Sequence, residues 1–322
     1  MSRSPSTLPL VLHLVWGPLG PRALRDFLIS FREHDPGEEH ELAIVLNGVD
    51  ASRAGATASR EELLAELEGI EHRLIELERP VLDLVAYGQA IRAVDHERIC
   101  ILNSHSRIRC DGWLAALDRT LTRPDVGIVG ATGSWTGMRS YAQYHLRLPS
   151  PYRRVWRDRS ATLREFQELA LERDGAPQPR GLRGRVNTAR ALLDMAVYCP
   201  PFPSPHLRTN AIMADRELLV RLLPEQLGRK VHAYRLESGA RGITRLVQSR
   251  GLRALVVDRA GQAYEPEDWP DSETFWQGDQ SGLLVADNQT DSYQRGDLDR
   301  RRVLSGFAWG ERAAPCGSGS SR

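Results

Sequence analysis

The chain has 322 residues, 41% of them hydrophobic and 26% charged, with a formal net charge of +1. That is ordinary globular composition with enough apolar mass for a sizeable core. The near-neutral total gives no reason to expect a nucleic acid or an anionic membrane as partner. Lys230 is the only lysine, so almost all positive charge is arginine. Codon composition explains such a bias more readily than phosphate recognition, and any arginine role must be argued at its own position. Cys100, Cys110, Cys199 and Cys316 show neither CxxC spacing nor a histidine at a zinc-like interval. A zinc site and a disulfide framework are therefore not expected, and a reducing cytoplasm is the natural compartment.

The first half of the chain alternates. LPLVLHLVW, residues 8–16, is interrupted by His13 and followed by no Ala-x-Ala site. It is expected to be a buried first strand rather than a signal peptide, and no transmembrane helix is expected anywhere. Leu24, Phe27, Leu28 and Phe31 then fall at helical spacing. HELAIVLNGVD (40–50) predicts a second strand ending in a polar turn, and REELLAELEGIEHRLIELE (60–78) predicts one long amphipathic helix. Val81 and Leu82 suggest a short strand leading to Asp83; residues 86–97 read as a helix, 98–102 as a strand, 111–123 as a helix and 126–133 as a strand. Strands alternating with helices predict an α/β fold with a mainly parallel sheet and helices on both faces.

The middle differs. Residues 139–196 hold twelve arginines against six acids and are punctuated by prolines. Residues 139–200 are expected to be a helical, Arg-rich insertion, either a lid or a solvated excursion. A strand and a helix are predicted over 201–224, and a second helix and strand over 237–258. The acid-rich stretch 258–299, with Trp269, Trp276 and the run DNQT at 287–290, reads as a C-terminal extension. One domain over 8–310 and a disordered tail at 311–322 complete the expectation.

Ligands bind outside the carboxyl ends of strands in open α/β sheets. Three such ends are polar here: Asn47-Gly48-Val49-Asp50, Asp83, and Asn103-Ser104-His105-Ser106 in ICILNSHSRI. The segments AYGQAIRAVDHERICILNSHS and DGWLAALDRTLTRPDVGIVGATG, in this order, resemble the GT-A fold of family-2-like nucleotide-sugar glycosyltransferases. The resemblance covers about residues 8–133 and resumes near 200–260. It implies a Rossmann-like, mainly parallel sheet and transfer of a sugar, hexosyl or deoxyhexosyl, from a nucleotide donor to a hydroxyl acceptor, with inversion. Glycans and lipid-linked molecules are the acceptor classes it implies.

The resemblance also implies roles for particular residues. The family's strand ends in a DxD-type motif that holds a divalent metal against the donor diphosphate. Asn103 and His105 stand where the two acids would be. They are either ligands of Mn2+ or Mg2+ in a degenerate motif, or His105 donates to phosphate directly. Asn47, Asp50, Asp83 and Gly88 would line the donor site, and Asp50 or Asp83 could equally be a cap or turn residue. Glu237 matches the first acid of the family's ED-like motif and would be the general base. It is expected to open a helix. Arg208 would pair with the diphosphate, while His206, Thr209, Asn210 and the face of Trp269 would contact the acceptor. Trp269 and Trp276 could instead only pin the C-terminal extension to the core. A GT-A-like protein that binds nucleotide-sugars or glycans without catalysis is the alternative function, motivated by the altered acids.

Overall fold

The computed structural model describes residues 6–49, 59–145, 182–227 and 230–313. Its centre is an eight-stranded sheet. In chain order the strands are β1 (Leu10–Trp16), β2 (Glu41–Asn47), β3 (Arg73–Glu76), β4 (Arg98–Leu102), β6 (Val126–Gly130), β9 (Ile212–Asp215), β10 (Arg253–Val257) and β11 (Ala263–Tyr264). They lie in the order β11-β10-β6-β9-β4-β1-β2-β3. Two small ribbons pair β5 (Arg107–Ile108) with β12 (Val285–Ala286), and β7 (Gly133–Ser134) with β8 (His206–Leu207). The pairs β1–β2, β1–β4, β2–β3 and β6–β10 are parallel, and β9 runs antiparallel between β4 and β6. The α/β class and the mainly parallel sheet are as the sequence predicts.

Both faces are covered, and the strands say why. In β1, Leu10, Leu12 and Leu14 belong to one apolar cluster, while Val11 and Val15 belong to another. Alternate side chains of a strand point to opposite faces, and an apolar residue at every position requires cover on both. The first face is packed by α3 (Asp83–Ala90), α7 (Arg216–Leu222), α9 (Ile243–Gln248) and α11 (Leu298–Trp309); the second by α1 (Pro21–Glu33), α2 (Arg60–Glu66) and α4 (Trp113–Leu121). Cys100 is a core residue of the second cluster, and burial pushes its thiol pKa up, far from a reactive thiolate.

Two expectations need correction. The helix predicted over 60–78 ends at Glu66. Gly69 then adopts φ +76°, and residues 73–76 leave the helical path to pair with β2 as the edge of the sheet. The helical periodicity is real, but the pairing of Leu74 and Ile75 with Ile44 and Val45 wins. Val81 and Leu82 form no strand; they lead into α3, whose first residue is Asp83.

Of the stretch expected as an insertion, two helices are described: α5 (Met138–His145) and α6 (Leu182–Tyr198). They pack with α8 (Lys230–Ser238) through a small cluster of Ala142, Met195 and Val231. Arg235 reaches Asp194 at 3.3 Å and lies over the Tyr198 ring at 3.6 Å. The remaining residues, 146–181, lie outside those described, as does the expected tail from 314 onward. Among the described residues no helix is long and apolar enough to cross a membrane.

The C-terminal extension is pinned by its aromatics. Trp269, Phe275, Trp276, Tyr293 and Trp309 all join the first cluster. Each buried indole nitrogen donates to a main-chain oxygen: Trp269 to Tyr264 at 3.0 Å, Trp276 to Gln289 at 3.0 Å and Trp309 to Phe275 at 2.7 Å.

Candidate active site

The carboxyl ends of the parallel strands β1, β2 and β4 lie at one edge of the sheet, and those of β2 and β4 are polar. At the end of β4 the apolar run stops because the chain must turn. The Asn103 side-chain oxygen accepts from the His105 N–H at 2.9 Å and from the Ser106 hydroxyl at 3.3 Å, and the Asn103 carbonyl accepts from the Ser106 N–H at 3.0 Å. This Asx-turn explains the small polar residues after β4. The Ser106 hydroxyl also reaches the Asn210 side-chain oxygen at 2.7 Å, and the Asn210 amide donates to the Val285 carbonyl at 3.1 Å. Asn210 thus knots together the β4 turn, the approach to β9 and β12.

Above that turn two acids converge from distant parts of the chain. Asp83 stands in the first turn of α3, favoured there by the helix dipole. Glu237 stands in the last turn of α8. The expectation that Glu237 opens a helix is corrected: the next helix, α9, starts at Ile243 behind Gly242. Thr209 donates its hydroxyl to Glu237 Oε1 at 2.9 Å. Tyr87, one turn beyond Asp83, donates to the Leu102 carbonyl at 3.2 Å. Its pKa is raised well above the ordinary value by burial first, and then by the charges of Asp83 and Glu237. The charges of both carboxylates thus act on the buried Tyr87 hydroxyl, which lies against the last residue of β4.

Arg208 holds the centre. Its guanidinium donates to Asp287 at 2.7 Å and to Gln289 at 2.9 Å, and it lies 4.0 Å over the Phe275 ring. Asp287 is 1% exposed and caps α10 (Asn288–Arg295), accepting from the N–H groups of Gln289 and Thr290. Burial opposes ionisation of Asp287, but the Arg208 charge, the Thr290 N–H and His105 outweigh it and hold its pKa below the usual carboxylate value. The positive charge expected to meet a diphosphate is thus already matched by a buried carboxylate 79 residues away in sequence.

Several expected site residues are structural. Asn47 is fully buried, with its amide donating to the Val81 carbonyl at 2.9 Å and accepting from the Val81 N–H at 3.0 Å. It fixes the approach to Asp83 rather than facing a ligand. Gly88 is buried where a Cβ would meet the Pro224 carbonyl at 2.1 Å, so the close packing of α3 there requires a glycine. Trp269 is 0% exposed, so no ring face is open to a sugar. Asn210 is 1% exposed and has its amide engaged on both sides, by the Ser106 hydroxyl and the Val285 carbonyl. His206 is half-buried in β8, its Nδ1 3.0 Å from the Ser204 carbonyl. Asp50 lies outside the described residues.

The residues at the β4 end do not fit a divalent cation. The Asn103 oxygen is committed to the turn, and Asp287, whose charge acts on His105, has both oxygens engaged. Among the described residues no three His, Cys, Asp or Glu side chains gather to hold a metal ion. A hard cation needs several oxygen ligands, and the expected pair Asn103 and His105 supplies none that is free and charged.

What the sequence reading missed lies on the α1 side. A cleft of about 220 Å3 is lined by Arg22 and Asp26 of α1, His105, Arg107 of β5, and Asp291 and Arg295 of α10. Arg107 and Asp291 form an ion pair. The pKa of His105 is lowered, by burial first; Asp287 opposes and Arg107 reinforces the shift. The local sequence signals were His105 itself and Asp287 followed by Thr290, a capping box that marks where α10 starts.

No family model matches the chain, and no curated protein matches it. Among solved structures it is similar to the mannosyltransferase PcManGT from Pyrobaculum calidifontis in complex with GDP-Man and Mn2+. That match has 16% identity and a TM-score of 0.43 over 79% of this chain and 55% of that one. It is also similar to two structures of S. aureus TarS, at 11% and 12% identity and TM-scores of 0.29 and 0.28, over 38% of this chain in each case. The chain spans about half the length of the mannosyltransferase and 34% and 21% of the two TarS chains.

Proposed function

We propose that the chain is a glycosyltransferase that moves a sugar from a nucleotide-sugar to a hydroxyl acceptor with inversion, Glu237 being the general base. The observation that carries this reading is the Glu237 carboxylate held by the Thr209 hydroxyl at 2.9 Å, just before β9; its charge and that of Asp83 both act on the Tyr87 hydroxyl at the end of β4. An inverting transfer needs one positioned carboxylate opposite the leaving group. Glu237 takes the acceptor O–H proton as that oxygen bonds to the anomeric carbon, and the bond from that carbon to the phosphate oxygen breaks, releasing the nucleoside diphosphate. Asp83, exposed at the start of α3, suits a hydrogen bond from the donor's base or ribose. His206, beside the β8 ribbon, and Thr209 remain on the acceptor side of this reading.

The test is turnover of UDP-, GDP- and dTDP-sugars, with and without glycan and lipid-linked hydroxyl acceptors. Release of nucleoside diphosphate that depends on Glu237 is the expected result. A non-catalytic nucleotide-sugar or glycan-binding protein is the second reading, favoured by the lack of a free acid after β4. Ligand binding with no donor hydrolysis and no transfer under any acceptor would select it.

A further inference from the structure

The cleft on the α1 side has more positive than negative charge, and its concave wall is built rather than incidental. Three guanidinium groups, Arg22, Arg107 and Arg295, meet His105 there against two carboxylates, Asp26 and Asp291. The two carboxylates do not balance the set. Asp26 is 3.9 Å from Arg22 across an exposed i,i+4 pair, which is worth little. Asp291 is taken by Arg107. Arg295 makes no ion pair among the described residues, although it closes the last turn of α10 directly over the cleft. Arg107 is half-buried, and its pKa is lowered, chiefly by that burial; Asp26 and Asp287 oppose the shift, and Arg109 and Arg295 add to it. Three guanidinium groups against two carboxylates leave the partly desolvated cleft with an excess of positive charge that a bound anion would neutralise.

The cleft begins where the β4 turn ends, because His105 is in both. A metal-bound diphosphate would need acids at this turn, and the turn has none free. We propose that the cleft of Arg22, His105, Arg107 and Arg295 is a diphosphate site in which guanidinium groups, not a divalent cation, neutralise the ligand. Arginine is suited to this, since its planar fork can donate two parallel hydrogen bonds to phosphate oxygens. The assignment of the diphosphate to a nucleotide-sugar donor rests on the function proposed above; the anion site itself does not.

The experiment titrates the full chain with inorganic pyrophosphate and with UDP, GDP and dTDP, in EDTA and then with Mn2+, following the melting temperature and calorimetric affinity. A ligand that binds only the native state raises the melting temperature by mass action. The variant is Arg22→Gln combined with Arg295→Gln: both side chains are exposed, so the fold survives, and Arg107 keeps its partner Asp291. Binding in EDTA that the double variant weakens at least about tenfold supports the site. Binding that requires Mn2+, binding that the double variant leaves unchanged, or no binding of pyrophosphate at all overturns it. Transfer is measured separately on Glu237→Gln. Loss of transfer there with anion binding intact keeps the two proposals apart, and sugar transfer without metal-free anion binding would sink only this one.

Discussion

The two sides of the sheet's carboxyl edge are opposites. On the α3 side the groups whose charge acts on the buried Tyr87 hydroxyl are acids, Asp83 and Glu237, carried on helices far apart in sequence. On the α1 side bases predominate: Arg22, Arg107 and Arg295, with His105, outnumber the carboxylates Asp26 and Asp291. Between them stands the Arg208–Asp287 pair, whose charges cancel. A nucleoside diphosphate leaving an anomeric centre needs this division: negative charge develops on the leaving phosphate, and a proton must be removed from the opposite side. Each side can be broken without touching the other, which makes the contrast testable.

The largest effect is expected on the acid side. Glu237→Gln keeps the shape and the Thr209 hydrogen bond but cannot accept a proton. Transfer should fall by about 10^2–10^4, with the affinity for nucleoside diphosphate unchanged in a direct binding measurement. A variant that loses affinity and rate together would mean that Glu237 holds the donor, and the division of labour between the sides would fail.

The next effect lies at the boundary. Asp287→Ala leaves Arg208 buried and uncompensated and removes the cap of α10, so a loss of about 3–5 kcal/mol in unfolding free energy is expected. Because the pKa of Asp287 is lowered in the fold, its contribution is complete above the ordinary carboxylate value, declines as the pH falls below that value, and is lost once the pH has fallen through the lowered pKa of the folded state. Replacing both partners by apolar residues, Arg208→Met with Asp287→Leu, should recover part of that loss. A recovered double variant that also binds pyrophosphate normally would confine Arg208 to structure. A fall in anion affinity would bring it back into the cationic side.

These two sides were unequally legible. The strands are written in the local pattern: β1, β2 and β4 are near-continuous apolar runs that stop in polar turns, and their ends mark the edge where the acids lie. The helix predicted over 60–78 was misread because its amphipathic period continues through Gly69, and only pairing with β2 stops it. Asn210 and Trp269 looked like ligand contacts because polar and aromatic residues beside a strand end invite that reading. Burial, a tertiary property that the local pattern does not carry, puts both in the interior instead. The cationic side was hidden for the same reason. Arg107 meets Asp291, and Arg208 meets Asp287, across separations that no window of sequence spans.

The smallest effect probes the floor beneath the cationic side. His13 in β1 is 0% exposed, stacked on Phe27 with ring centroids 3.7 Å apart, and neither ring nitrogen has a hydrogen-bond partner. Its pKa is lowered to about 3, by burial first and then by the charge of His105. The sign follows from linkage. The unfolded chain takes up a proton on this histidine near its ordinary value of 6.5 while the folded chain does not, so stability is highest above that pH. It falls by up to about 1.4 kcal/mol per pH unit down toward 3. His13→Leu removes both unsatisfied nitrogens at similar volume. It should stabilise the protein by about 1–3 kcal/mol at neutral pH and flatten that part of the pH profile, as read by urea unfolding across the range. A variant that is less stable, or that keeps the same slope, would mean that the imidazole has a polar partner. In that case the neutral floor under His105 would itself be part of the charged cleft.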